Sequence, residues 1–186
     1  NLTLPSFVGD VDVTWASGTP AVITDAGVVT RGAADVTVTM TATLTMGTAS
    51  DTETFDVVVK ANPTLAVAAA KAALAITYAT GDSATSVRDD VTLPTTLNGV
   101  AIAWASDKPA IVSATGNVSR TLDEETVVLT ATLTMGTVSD TKTFTLTVLA
   151  DTRLGVAMDA LEDHYAATLG DPEYTVIANI DLIATI

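Results

Sequence analysis

Slid along itself by 89 residues, the chain matches itself. Trp15-Ala16-Ser17 falls on Trp104-Ala105-Ser106, Pro20-Ala21 on Pro109-Ala110, Gly27 on Gly116 and Arg31 on Arg120. The run Thr41–Thr48 recurs letter for letter as Thr130–Thr137, and without a gap 29 of 61 positions are identical. A period of this kind marks a duplicated supersecondary unit, so any fold proposed for one half must serve the other.

Inside each copy the apolar spacing is two. Val11, Val13 and Trp15 alternate with polar or small residues, as do Val100, Ile102 and Trp104; Val38, Met40, Ala42 and Leu44 alternate with threonines. Such alternation, rich in β-branched residues, predicts half-buried antiparallel strands. Turn signals interrupt it at Ser17-Gly18, Ala26-Gly27, Met46-Gly47, Asn98-Gly99 and Met135-Gly136. The expected class is mainly β: tandem immunoglobulin-like antiparallel sandwiches, with Trp15 and Trp104 as core residues inside the apolar alternation.

Between the copies the period changes. Asn62-Pro63 reads as a helix start, and Leu65, Ala69, Ala72 and Ile76 form a helical stripe ending by Gly81. Shifted by 89, Asp151 becomes the cap and Leu154, Met158, Leu161 and Tyr165 the stripe. An α-helix therefore precedes the strands in the repeat unit. The expected organisation is a first sandwich at 1–61, a connecting helix and loop at 62–89, and a second sandwich at 90–150. A helix plus strand at 151–186 opens an incomplete third repeat.

Composition narrows the chemistry. The net charge of -14 opposes nucleic acid as a partner, and no apolar run approaches the roughly 20 residues of a membrane-spanning helix. With no Cys and a single His, His164, there is almost no material for a thiol site, a Ser-His-Asp triad or a common zinc site. No catalytic residue, no metal site and no enzyme activity are expected. For calcium, Asp89-Asp90 and Asp123-Glu124-Glu125 are the acidic runs on offer. Neither has the alternating spacing of an EF-hand, and acidic turns explain both.

In combination these residues resemble the atrophied bacterial immunoglobulin-like (Big-type) repeats of secreted and surface proteins. The resemblance rests on Leu93 through Val100, Ile102 through Ser106, Pro109-Ala110, Gly116 through Arg120, and the closing Leu129–Val148 block. It is weaker at Phe7 through Asp10. It implies an extracellular or cell-surface spacer, adhesive or accessory module without catalytic residues.

Twice 89 is 178, so Asn179-Ile180-Asp181-Leu182 aligns with Asn1-Leu2-Thr3-Leu4. Two arrangements would account for that overhang. One is an excerpt of a longer array, a spacer or adhesin stalk whose partners are adjacent repeats. The other is a protomer of a head-to-tail filament, with Leu154, Met158, Leu161, Tyr165, Ile180 and Leu182 as contacts to a neighbouring copy. A carbohydrate- or receptor-binding accessory module is a further alternative, which loop aromatics would favour; only 4% of the residues are aromatic.

Overall fold

The computed structural model describes residues 1–169, leaving Ile180 and Leu182 outside the described residues. Among the described residues, eight strands and two helices run in the order β1 (Phe7–Val8), β2 (Val11–Ser17), β3 (Val36–Met46), β4 (Ala49–Val59), α1 (Pro63–Ala73), β5 (Thr96–Leu97), β6 (Val100–Ser106), β7 (Glu125–Met135), β8 (Val138–Val148) and α2 (Arg153–Leu169). The strands form two four-stranded sheets, ordered β1-β2-β3-β4 and β5-β6-β7-β8. The class is mainly β, with two antiparallel, sandwich-like sheets.

Local sequence explains the hairpins. Asn98 and Gly99 both have positive φ, 51° and 80°, as a two-residue turn between twisted strands requires. In the first sheet, β3 and β4 pair from Val36↔Val59 to Met46↔Ala49 around Gly47-Thr48. This register puts Val13, Trp15, Ala42, Leu44 and Phe55 on one face, because side chains alternate along each strand.

Opposite the root of that face lies irregular chain. Ile23, in an isolated bridge with Val29, packs with Val38, Met40 and Val59, and Leu2 and Leu4 close the cluster. The N-terminal stretch is held there by a 2.8 Å bond from Leu2 N–H to Gly27 C=O. A Cβ on Gly27 would sit 2.6 Å from the Leu2 carbonyl oxygen, so this contact requires glycine.

Helix α1 starts where its sequence signals: the Asn62 side chain accepts the Thr64 N–H and Pro63 opens the first turn. It ends earlier than expected, at Ala73, with Leu74 already extended; Gly81 lies beyond it in a loop. Its buried face is also not the anticipated stripe. Ala66, Val67 and Ala70 are buried, while Leu65 is 48% exposed. Eight of the eleven positions of this helix are Ala, Val or Leu, so spacing alone could not select the phase. Packing selects the alanines, whose small side chains let the helix lie close to a sheet.

Contacts group the chain into two compact units that do not follow the duplication. The first takes Asn1–Thr77, Thr92–Ala105 and Leu129–Phe144. It holds the first sheet, α1 and the strand segments on which α1 packs. The second takes Tyr78–Val91, Ser106–Val128 and the described residues from Thr145 onward. It contains a parallel bridge Val87↔Val148 and an antiparallel one, Val112↔Val118.

Candidate interaction surface

The two tryptophans occupy equivalent settings. Trp15 Nε1–H donates to the Pro5 carbonyl at 2.9 Å, and Trp104 Nε1–H to the Pro94 carbonyl at 2.8 Å. Each indole tilts against a phenylalanine, Phe55 at 5.6 Å and Phe144 at 5.5 Å between ring centroids. Both are half-buried at the margin of a cluster, not at its centre. Indoles whose N–H reaches a backbone carbonyl can sit at such a margin without a desolvation penalty.

What lies over the two faces differs. Over Trp104, α1 covers the sheet: Ala66, Val67, Ala70 and Leu74 pack with Val100, Ile102, Ala131 and Leu133. One ion pair and two further hydrogen bonds fasten it. Lys71 Nζ meets Asp140 at 2.8 Å, and Lys142 Nζ donates to the Lys71 and Leu74 carbonyls at 3.0 and 2.7 Å. Those carbonyls are the unsatisfied acceptors of a helix C-terminus, and a cation there also complements the helix dipole. Lys142 further lies 5.2 Å above the Phe144 ring. The Lys71 hydrogen bond holds the Asp140 carboxyl below its ordinary pKa.

Over Trp15 there is an open trough of about 470 Å³, lined by Pro5, Val8, Val13, Trp15, Ala42, Leu44 and Phe55 and by the polar Asp51, Thr52 and Glu53. Phe55 and Val8 are 47% and 59% exposed.

A second fastening recurs at the far end of each copy. Arg31 donates to the carbonyls of Lys60 (2.8 Å) and Ala61, and Arg120 to those of Leu149 (2.9 Å) and Ala150. The repeated arginine was visible in the sequence; its carbonyl partners, 29 and 30 residues away, were not.

The remaining candidates are structural in their observed roles. Asp90 accepts the Val118 N–H, as the Asn1 side chain accepts that of Val29. Asp89 N–H and Arg88 N–H both donate to Asp82, whose lowered pKa follows first from the Arg88 backbone bond. Glu125 pairs with Lys108 at 2.6 Å. Among the described residues no three His, Asp or Glu side chains converge as metal ligands would. Asp151 accepts the Arg153 N–H at 3.1 Å, the position of Asn62 under the 89-residue shift, and its guanidinium contact with Arg153 lowers its pKa. On α2, Met158 and Leu161 are 42% and 50% exposed; the side chains of Leu154 and Tyr165 lie outside the described residues.

With this geometry in view, a family comparison gives one result. The model of the atrophied bacterial Ig domain matches residues 1–62 and 67–151. The chain belongs to the atrophied bacterial Ig domain family. Its members are structural or surface modules, typically non-enzymatic and usually extracellular or surface-associated. No described helix of this family member is long and apolar enough to cross a membrane. A search of curated proteins returned no match.

Proposed function

We propose that this chain is a structural segment of a bacterial extracellular or cell-surface protein, acting as a spacer or adhesin stalk. In this reading it is built of tandem immunoglobulin-like units at 1–61 and 90–150, with a connecting helix and loop at 62–89 and a helix plus strand at 151–186 opening the next unit. One observation carries the reading: the 89-residue equivalence extends from letters to fastenings. The Trp–carbonyl bond, the Arg–carbonyl pair and the Trp–Phe contact all recur at the same positions. A unit copied together with its fastenings suits a load-bearing array, in which each element is stabilised by itself and its neighbour. Stretching single molecules tests the mechanical part. Two unfolding events of about 20 nm each support it, and one event releasing the whole chain overturns it. Antibody labelling of intact parent cells tests the location, and labelling only after lysis counts against it.

A second reading is a head-to-tail filament protomer, favoured by the exposed Met158 and Leu161 on α2. Deleting residues 175–186 decides it. Loss of concentration-dependent polymers in scattering supports the filament, and an unchanged size rejects it.

A further inference from the structure

Four asparagines lie among the described residues, and only one is followed by a residue that leaves its peptide nitrogen open to attack. Asn62 precedes Pro63, which has no N–H, while Asn1 and Asn117 precede the bulkier Leu2 and the β-branched Val118. Those three carboxamides are also engaged: Asn62 accepts the Thr64 N–H, Asn1 the Val29 N–H and Asn117 the Thr115 hydroxyl. Asn98 differs on both counts. It is exposed, its carboxamide makes no hydrogen bond, and Gly99 follows it. The Gly99 N–H has no backbone acceptor, and a Cβ there would meet nothing within 4 Å. We propose that the Asn98-Gly99 turn is a site of spontaneous deamidation, which converts Asn98 into isoaspartate and loosens the β5–β6 hairpin.

The chemistry needs only water and hydroxide. The Gly99 nitrogen gives up its proton and attacks Asn98 Cγ; a C–N bond forms, the side-chain amide leaves as ammonia, and a five-membered succinimide remains. Water then opens that ring at one of its two carbonyls. Opening at Cγ gives aspartate in an unchanged backbone. Opening at the main-chain carbonyl gives isoaspartate, whose backbone runs through Cβ and Cγ and is one methylene longer.

The fold makes the attack accessible and gives the product a consequence. Strand β5 pairs with β6 only through Thr96↔Ala101 and Leu97↔Val100, so opening the turn breaks little. The next anchors, Ile102 N–H on the Thr95 carbonyl and Trp104 Nε1–H on the Pro94 carbonyl, lie beyond that opening. The two-residue turn depends on positive φ at both Asn98 and Gly99, and a lengthened backbone cannot keep its register. Leu97, which packs against the cluster beneath α1, is the first residue displaced. The first copy carries Gly9-Asp10 in the equivalent turn, with no amide to lose, and so provides an internal control. The inference does not rest on the spacer or filament readings.

Incubating the intact chain at neutral and mildly alkaline pH tests it, with isoaspartate counted by enzymatic methylation and located by peptide mapping. The expected result is isoaspartate at Asn98, forming in proportion to hydroxide. Asn1, Asn62 and Asn117 should each react about tenfold more slowly or less, a barrier difference of about 1.4 kcal/mol. Asn98→Gln, whose cyclic product would need a six-membered ring, is expected to lose the signal. In the aged chain hydrogen exchange should quicken at Leu97 and Val100 and stay unchanged at Val8 and Val11. Asn98→Asp, which adds the charge without the methylene, should keep the original exchange rates. No isoaspartate in the native chain where the urea-unfolded chain forms it, or an equal yield at Asn117, overturns the site. Isoaspartate at Asn98 with unaltered exchange in the hairpin overturns the loosening.

Discussion

The face around Trp15 and the face around Trp104 share their strands, their indole–carbonyl bond and their aromatic pair, yet one is open and the other closed. Ala131 and Ala42 are both buried, but Leu133 is fully buried beneath α1 whereas its equivalent Leu44 is half-buried and borders a trough. The difference lies in what each face is given to bury, since the apolar residues are nearly the same. An apolar sheet face is only half of a core. A helix of small residues completes the second, and two lysines, Lys71 and Lys142, fix where it lies. In the first, Glu53 stands in the place of Lys142, so that cation is missing.

The largest test of this contrast compares the same substitution at equivalent leucines. Leu133→Ala should cost about 3 kcal/mol of stability and Leu44→Ala about 1 kcal/mol, because only the first leaves a sealed cavity. Urea unfolding measures both, and equal losses would mean that the first face is as well covered as the second. Next are the arginines, where no contrast is expected. Arg31→Met and Arg120→Met should each cost about 1.5 kcal/mol, since both remove charge-assisted bonds to the two carbonyls that follow a strand; a large inequality would show that the equivalence stops at geometry.

A smaller effect belongs to the cap of the covering helix. Asn62→Ala should cost about 1 kcal/mol by leaving the Thr64 N–H unpaired. It should loosen hydrogen-exchange protection around Leu133 more than around Leu44. The smallest concerns pH. The Lys71 bond lowers the Asp140 pKa below 3.8 in the folded state, so the unfolded chain binds that proton first. The stabilisation is present above the unfolded value and is lost as pH falls through the folded one. Lys71→Met should flatten that part of the acid limb in a melting-temperature profile. An unchanged limb would show that the ion pair contributes nothing to closure, as exposed pairs often do.

Much of the fold was legible because its signals are local. Period-two alternation fixed which strand residues share a face. Asn98-Gly99 and Met46-Gly47 marked hairpins, and Asn62-Pro63 marked a helix start. The helix's phase and its end were not legible. In Leu65 through Ala73 nearly every position is apolar, so several stripes fit the same spacing, and contact with the second sheet chose the one containing Ala66 and Ala70. The trough was hidden for a related reason. Trp15 and Trp104 sit in matching patterns, and both read as core residues, whereas each lies half-buried at the edge of a cluster. No pattern within a strand reports whether something lies above it.

By itself, then, the sequence determined the duplication, the strand alternation, the turn positions and the absence of material for thiol or common zinc chemistry, because each depends on neighbouring residues or on composition. The tertiary structure alone decided which apolar face is covered, which helix surface covers it and where Lys71, Lys142, Arg31 and Arg120 find their partners. Those choices join residues about 30 to 70 positions apart. They are settled by burial and by the satisfaction of backbone carbonyls, which exist only once the chain has closed on itself.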